Sequence, residues 1–145
     1  MSKSLTAFNA FGSESFSQMV CQQAPYFSTI EPTLTELRPG HAEATFPFRK
    51  EITNHLGTVH AIALCNVAEF VGGLMTDASV PPDARWIPQG MTVEYLAKAK
   101  TGVKAVADGS EVDWSTAGEK LVPVDVFDEQ NQKVFTARIT MNVKM

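Results

Sequence analysis

From Thr58 to about Ser79 the chain would be apolar on nearly every face of a helix. Val59, Ile62, Ala63, Leu64, Val67, Ala68, Phe70, Val71, Leu74 and Met75 leave no polar stripe wide enough to face water. A helix apolar all round is buried on all sides, so this segment is predicted as the long central helix of the fold. Val80-Pro81-Pro82 stops it. Upstream, Phe16, Met19, Val20 and Gln23 fall near helical spacing. Ser13 or Ser15 is suited to cap that first helix, and Pro25 ends it. Residues 2–12 show no period and are expected to be a loosely held start, with the N-terminal helix over 13–25.

Elsewhere the period is two. Thr33 to Leu37 is strand-like, Arg38-Pro39-Gly40-His41 has the composition of a turn, and Ala42 to Phe48 alternates again, as in a hairpin. After the central helix come Ile87 to Ala97, Val103 to Val112, Leu121 to Phe127 and Lys133 to Val143. Asp108-Gly109-Ser110 reads as a turn or as a bulge within a strand. In the last strand Val134, Thr136, Arg138, Thr140 and Asn142 alternate with Phe135, Ala137, Ile139, Met141 and Val143. Such alternation gives a sheet one wetter and one buried face. The layout is helix, two strands, long helix, four strands. It predicts a single α+β domain over 1–145, an antiparallel sheet of five or six strands wrapped around one central helix, plus the short N-terminal helix. One sheet cannot cover every face of that helix. A second copy is the economical cover, so a homodimer or a dimer of dimers is expected.

Composition narrows the partners. The 145 residues carry a formal charge of −4 and are 44% hydrophobic and 19% charged, as in an ordinary globular domain. Without clustered Lys and Arg, nucleic acid is not expected as a partner. The first sixteen residues hold no apolar run of signal-peptide length, and no stretch reaches the ~18 apolar residues of a membrane span. A cytoplasmic protein is therefore expected. Cys21 and Cys65 lie in apolar surroundings with no close Cys or His at metal spacing, so two free thiols and no metal site are expected.

The candidate chemistry begins with an acid on the central helix. Between Ala61 and Met75 the strongly polar side chains are Asn66 and Glu69. A helix glutamate often simply faces water. Here its own face carries Cys65, Asn66, Gly72 and Gly73, none of them a cation, and small residues beside an acid leave room for a ligand. Upstream runs Asn54-His55-Leu56-Gly57-Thr58-Val59-His60-Ala61. Gly57 permits a turn into the helix, and Thr58 is suited to cap it, unless His60 itself forms the first turn. The helix start offers unpaired N–H groups to a carbonyl oxygen gaining charge. A lone His at such a position is more often a structural hydrogen bonder than a catalyst. The signal is the combination with Asn54 and Glu69.

The spacing Asn54-x-x-Gly57-x-x-His60-Ala61, with Ala68-Glu69 further on, resembles the active-site signature of hotdog-fold thioesterases of the phenylacetate-pathway type. Two positions differ: His-Gly-Gly is His60-Ala61-Ile62 here, and the commoner Asp is Glu69. The resemblance implies a hotdog fold from about residue 30 to the C-terminus and hydrolysis of acyl thioesters, with coenzyme A thioesters as substrates and no metal or redox cofactor. It implies that the Ala61 N–H beside His60 holds the thioester carbonyl and that Asn54 orients that carbonyl or the attacking water. It implies further that Glu69 acts as general base toward water or as nucleophile. Gly57 and Ile62, with Cys65, Gly72 and Gly73, would line the substrate. The resemblance also implies that each site is shared across a dimer. Arg85, Lys98, Lys100 and Lys104 could meet the phosphates of coenzyme A, although lysines at a strand end are more often a solvated edge. Trp86 and Trp114 read as packing residues. Two other functions compete. A hotdog dehydratase would carry a His followed by Phe-Pro, which His60-Ala61-Ile62 lacks. A non-catalytic acyl-thioester binding module is favoured by the missing glycines and opposed by the retained Asn54 and Glu69.

Overall fold

A computed structural model describes residues 1–145. The chain forms α1 (Lys3–Gln23), β1 (Thr33–Arg38), β2 (His41–Phe46), α2 (Ala61–Ser79), β3 (Arg85–Tyr95), β4 (Val103–Asp108), β5 (Gly118–Asp128) and β6 (Lys133–Lys144). The six strands make one sheet in the order β1-β2-β4-β5-β6-β3, every neighbouring pair antiparallel. α2 lies across its inner face, and the predicted α+β architecture is the one observed.

The alternation read in β6 sets the inner face. Phe135, Ala137, Ile139, Met141 and Val143 are buried, whereas Arg138 is exposed. Opposite them on β5, Val122, Val124 and Val126 are fully buried. Ala42 and Ala44 on β2 and Ala105 and Ala107 on β4 are small and fully buried, which lets the helix approach the sheet. Phe46, Phe70, Met75 and Phe135 fill the space between. Asp108-Gly109-Ser110 is a turn at the end of β4, not a bulge within a longer strand.

The N-terminus differs from expectation. Residues 2–12 are not a loose start: α1 begins at Lys3, capped by the Ser2 hydroxyl, which accepts from the Leu5 N–H. At Gly12 the backbone turns to φ 83°, ψ 172°, breaking α1 into two halves. The second half is the helix that the sequence predicts. The first was hidden because the left-handed residue between them resets the helical phase. On the far side of α1, the Ser17 hydroxyl accepts from the Leu34 N–H of β1 and ties the helix to that edge of the sheet.

Candidate active site

The loop before α2 is held by its own hydrogen bonds. The Asn54 N–H donates to the Thr58 carbonyl (2.9 Å), and the Gly57 N–H donates to the Asn54 carbonyl (3.0 Å). Gly57 sits at φ 77°, a conformation few side chains tolerate. A Cβ there would meet nothing within 4 Å. Gly57 therefore serves the turn, and no neighbouring side chain or backbone of this chain requires its small size. The Asn54 Oδ1 accepts from the Leu56 N–H (2.9 Å), the Thr58 N–H (3.2 Å) and the Thr58 hydroxyl (3.2 Å). Its oxygen is committed to the loop, and what remains for chemistry is the pair of donors on Nδ2.

α2 is capped two residues later than Thr58. His60 is its N-cap, and Nδ1 accepts from the Ile62 N–H at 3.0 Å. An accepting Nδ1 places the proton of the neutral ring on Nε2. Thr58 is buried and bonded to Asn54 instead. The Ala63 N–H donates to the His60 carbonyl at 2.9 Å. Of the first three helical N–H groups, the one at Ala61 is left without an acceptor inside the chain. Ile62 is half exposed beside it (51%), a side chain where the resembled signature has glycine.

Glu69 lies eight residues beyond Ala61, about 12 Å further along the helix axis. It is exposed and takes part in none of the chain's ion pairs. It opens on a cleft of about 560 Å³ between α1, α2 and β3, walled by Phe16, Val20, Phe70, Leu74 and Trp86. His60 and Ile62 line a separate concavity of about 240 Å³ with Tyr26, Thr29 and Asn66. Within one chain the two halves of the predicted site therefore face different spaces.

The small residues near Glu69 also need correction. A Cβ on Gly72 would stand 2.9 Å from Ile139 Cδ1, and one on Gly73 would stand 3.0 Å from Trp86 Cη2. Gly72 is small because the sheet is there, and Gly73 because the indole is there. Gly72 therefore leaves no ligand room in the way the spacing suggests, whereas Gly73 borders the Glu69 cleft. Cys65 is half-buried, with Sγ 3.9 Å from the Tyr95 hydroxyl. Burial pushes its thiol up and the tyrosine contact pulls the other way. The same contact raises the Tyr95 hydroxyl.

The basic residues do not form one cluster. Arg85 begins β3, whereas Lys98 and Lys100 follow its end. β3 alone spans roughly 33 Å at 3.3 Å per residue. Lys104 is 3.9 Å from Glu43, in a polar group where the His41 Nε2 lies 2.7 Å from Glu43 and 3.7 Å from Glu36. A hydrogen bond between the two carboxyls holds Glu43 below and Glu36 above the usual range. Lys104 is therefore engaged by a carboxylate on the sheet surface. Both tryptophans pack, as expected: the Trp86 Nε1 donates to Asp77 and the Trp114 Nε1 donates to the Gly109 carbonyl. The sequence reading missed Asp77. It also accepts from the Ser4 hydroxyl of α1, and its place two turns beyond Glu69 on the same helix face was the available signal.

This single antiparallel sheet around one long helix is the hotdog fold, shared by many solved thioesterase-family proteins. A thioesterase from Haemophilus influenzae superposes with a TM-score of 0.79 at 16% identity, covering 91% of this chain and 90% of that one. A thioesterase family protein from Silicibacter pomeroyi gives 0.76 at 16% identity, over 89% and 96%. The chain belongs to the DUF4442 family, a domain of unknown function, whose model matches residues 12–143. A solved structural-genomics protein is 55% identical to it over 98% of this chain and 96% of that one, with a TM-score of 0.90. No curated protein matches the chain.

Proposed function

We propose that the protein hydrolyses acyl thioesters, with coenzyme A esters as the substrate class, and that it does so as a homodimer. The observation that carries this reading is Glu69. It is an acid without a cationic partner, on a helix mostly buried in the core, at the rim of a largely apolar cleft. The hotdog neighbours described as thioesterases support the class of reaction. Glu69 would take a proton from water as that water attacks the thioester carbonyl. The carbon–sulfur bond then breaks, and the thiolate leaves with a proton. The free Ala61 N–H and the Asn54 Nδ2 donors would stabilise the oxygen that gains charge. No metal or redox group enters this scheme, and no nucleic acid or membrane partner is invoked. The expected setting is the cytoplasm.

The dimer follows from what one chain leaves uncovered. On α2 the residues Ile62, Cys65 and Glu69 form an incompletely covered stripe. On the inner face of edge strand β3, Met91 and Tyr95 pair across from buried Ile139 and Phe135 yet remain exposed. A second copy against this surface would cover it, and would bring one protomer's helix start toward the other's Glu69.

A binding module without catalysis is the competing function, and Ile62 at the helix start is what favours it. A thiol-release assay across acyl-CoA and aryl-CoA esters separates the two. Wild type is expected to release thiol, and Glu69→Gln to lose about 10²-fold or more in kcat while still binding ligand. Equal turnover by both would end the catalytic role of Glu69. Tight binding by both without turnover would establish the module.

A further inference from the structure

The cleft beside Glu69 has a shape and polarity that say more than where the acid lies. It runs along α2 from Glu69 past Gly73 to Asp77, about 12 Å at 1.5 Å per residue. Its walls are Phe16 and Val20 of α1, Leu74 of α2 and Trp86 of β3. The far end is polar: Asp77 accepts from both the Ser4 hydroxyl and the Trp86 Nε1. Two carboxylates, Glu69 and Asp77, outnumber the one cation, Lys3, that borders this space. Like charges disfavour the diphosphate end of coenzyme A there, whereas an uncharged chain gains by leaving water for apolar walls.

We propose that this cleft holds the acyl chain of the substrate, and that α1 makes the enzyme selective for aliphatic groups of medium length. The ester lies at Glu69, the chain runs toward Asp77, and the Ser4–Asp77–Trp86 cluster limits its length. A longer chain would have to displace those hydrogen bonds and bury their polar atoms unpaired, which is costly. Val20 sets the width from the α1 side and Leu74 from the α2 side. This assignment rests on the thioesterase reading for the ester end, but chain binding can be measured without turnover.

The test combines kcat/KM for butyryl-, decanoyl- and hexadecanoyl-CoA with binding of the non-hydrolysable decyl-CoA and butyl-CoA thioethers. Three proteins are compared: wild type, Val20→Trp, which fills the cleft, and Leu74→Ala, which widens it. Wild type is expected to prefer decanoyl over both other chains. Val20→Trp should lower the decanoyl-to-butyryl ratio by about tenfold or more and weaken decyl-CoA thioether by a similar factor. Leu74→Ala removes apolar wall along the chain and should also lower the decanoyl-to-butyryl ratio, so a folding failure of one variant leaves the other to decide. Hydrolysis with chain ratios that neither variant moves overturns the cleft assignment and leaves the thioesterase standing. Decyl thioether binding that Val20→Trp weakens, with no hydrolysis of any ester, upholds the cleft and removes the thioesterase. Neither hydrolysis nor binding removes both.

Discussion

At its first turn α2 offers donors: a free backbone N–H at Ala61 and, on the loop before it, the Asn54 carboxamide. Eight residues on, the same helix offers a carboxylate. The two regions are made differently. The first is fixed by local bonds, with the Asn54 oxygen taken by Leu56 and Thr58 and the His60 Nδ1 by Ile62. The second is fixed by packing, with Gly72 against Ile139 and Gly73 against Trp86. Each has one half of what the proposed acyl transfer needs, donors for an oxyanion or a base for water, and the cleft at Glu69 is lined by neither Asn54 nor Ala61. The proposed homodimer would join them by complementation between chains.

The sharpest way to break that comparison is to damage the two regions in different protomers. Asn54→Ala alone is expected to lose about 10²–10³ in rate, the usual cost of one donor to an oxyanion, and Glu69→Gln at least as much. Co-refolding the two variants in equal amounts should restore thiol release. A two-fold dimer has two equivalent composite sites. Random mixing makes half the dimers mixed, and each of those carries one intact site, so about a quarter of wild-type activity should return. No recovery in mixtures shown by mass spectrometry to contain heterodimers would mean that each site lies within one chain.

The next effect is on stability and concerns the middle of α2. Gly72→Ala adds helix propensity worth about 1 kcal/mol, but its Cβ must displace Ile139, so the net change should be small. Gly72→Leu has no such compensation. It is expected to destabilise by about 1–3 kcal/mol or more through overpacking against the sheet, read as a lower urea midpoint. If Gly72 were instead room for a ligand, Gly72→Leu would raise KM and leave the midpoint where it was.

These residues also indicate how far the sequence was legible. The all-round apolar character of α2 and the alternation of β6 report burial directly, because burial is what selects those patterns. The turn at Gly57 was legible too, since its positive φ is a local property. Gly72 was misread because what excludes a side chain there is Ile139, distant in sequence and near only in the fold. The first half of α1 was missed because Gly12 interrupts its phase. His60 was recognised as belonging to the helix start, but which residue caps that start depends on where the loop's hydrogen bonds fall, and composition does not say.

The smallest expected effect concerns phosphate recognition, and it sharpens the two-chain view. Within one chain Arg85 and Lys98 lie at opposite ends of β3 and cannot meet one coenzyme A together. A two-fold axis that paired β3 with its copy would run the two strands antiparallel. Such a pairing would bring the Arg85 end of β3 in one protomer toward the Lys98 end in the other. The basic residues would then converge only in the dimer. Exposed charges contribute modestly and are screened by salt, so Arg85→Gln or Lys98→Gln should each raise KM for an acyl-CoA only about two- to fivefold at low ionic strength, and less at high. The informative quantity is the double variant. Two residues on the same phosphates should be non-additive, whereas two unrelated surface charges should multiply. Measuring KM for wild type, both single variants and the double at two salt concentrations separates these outcomes. Multiplicative effects, or none at either salt concentration, would return Arg85 and Lys98 to the role of solvated strand ends.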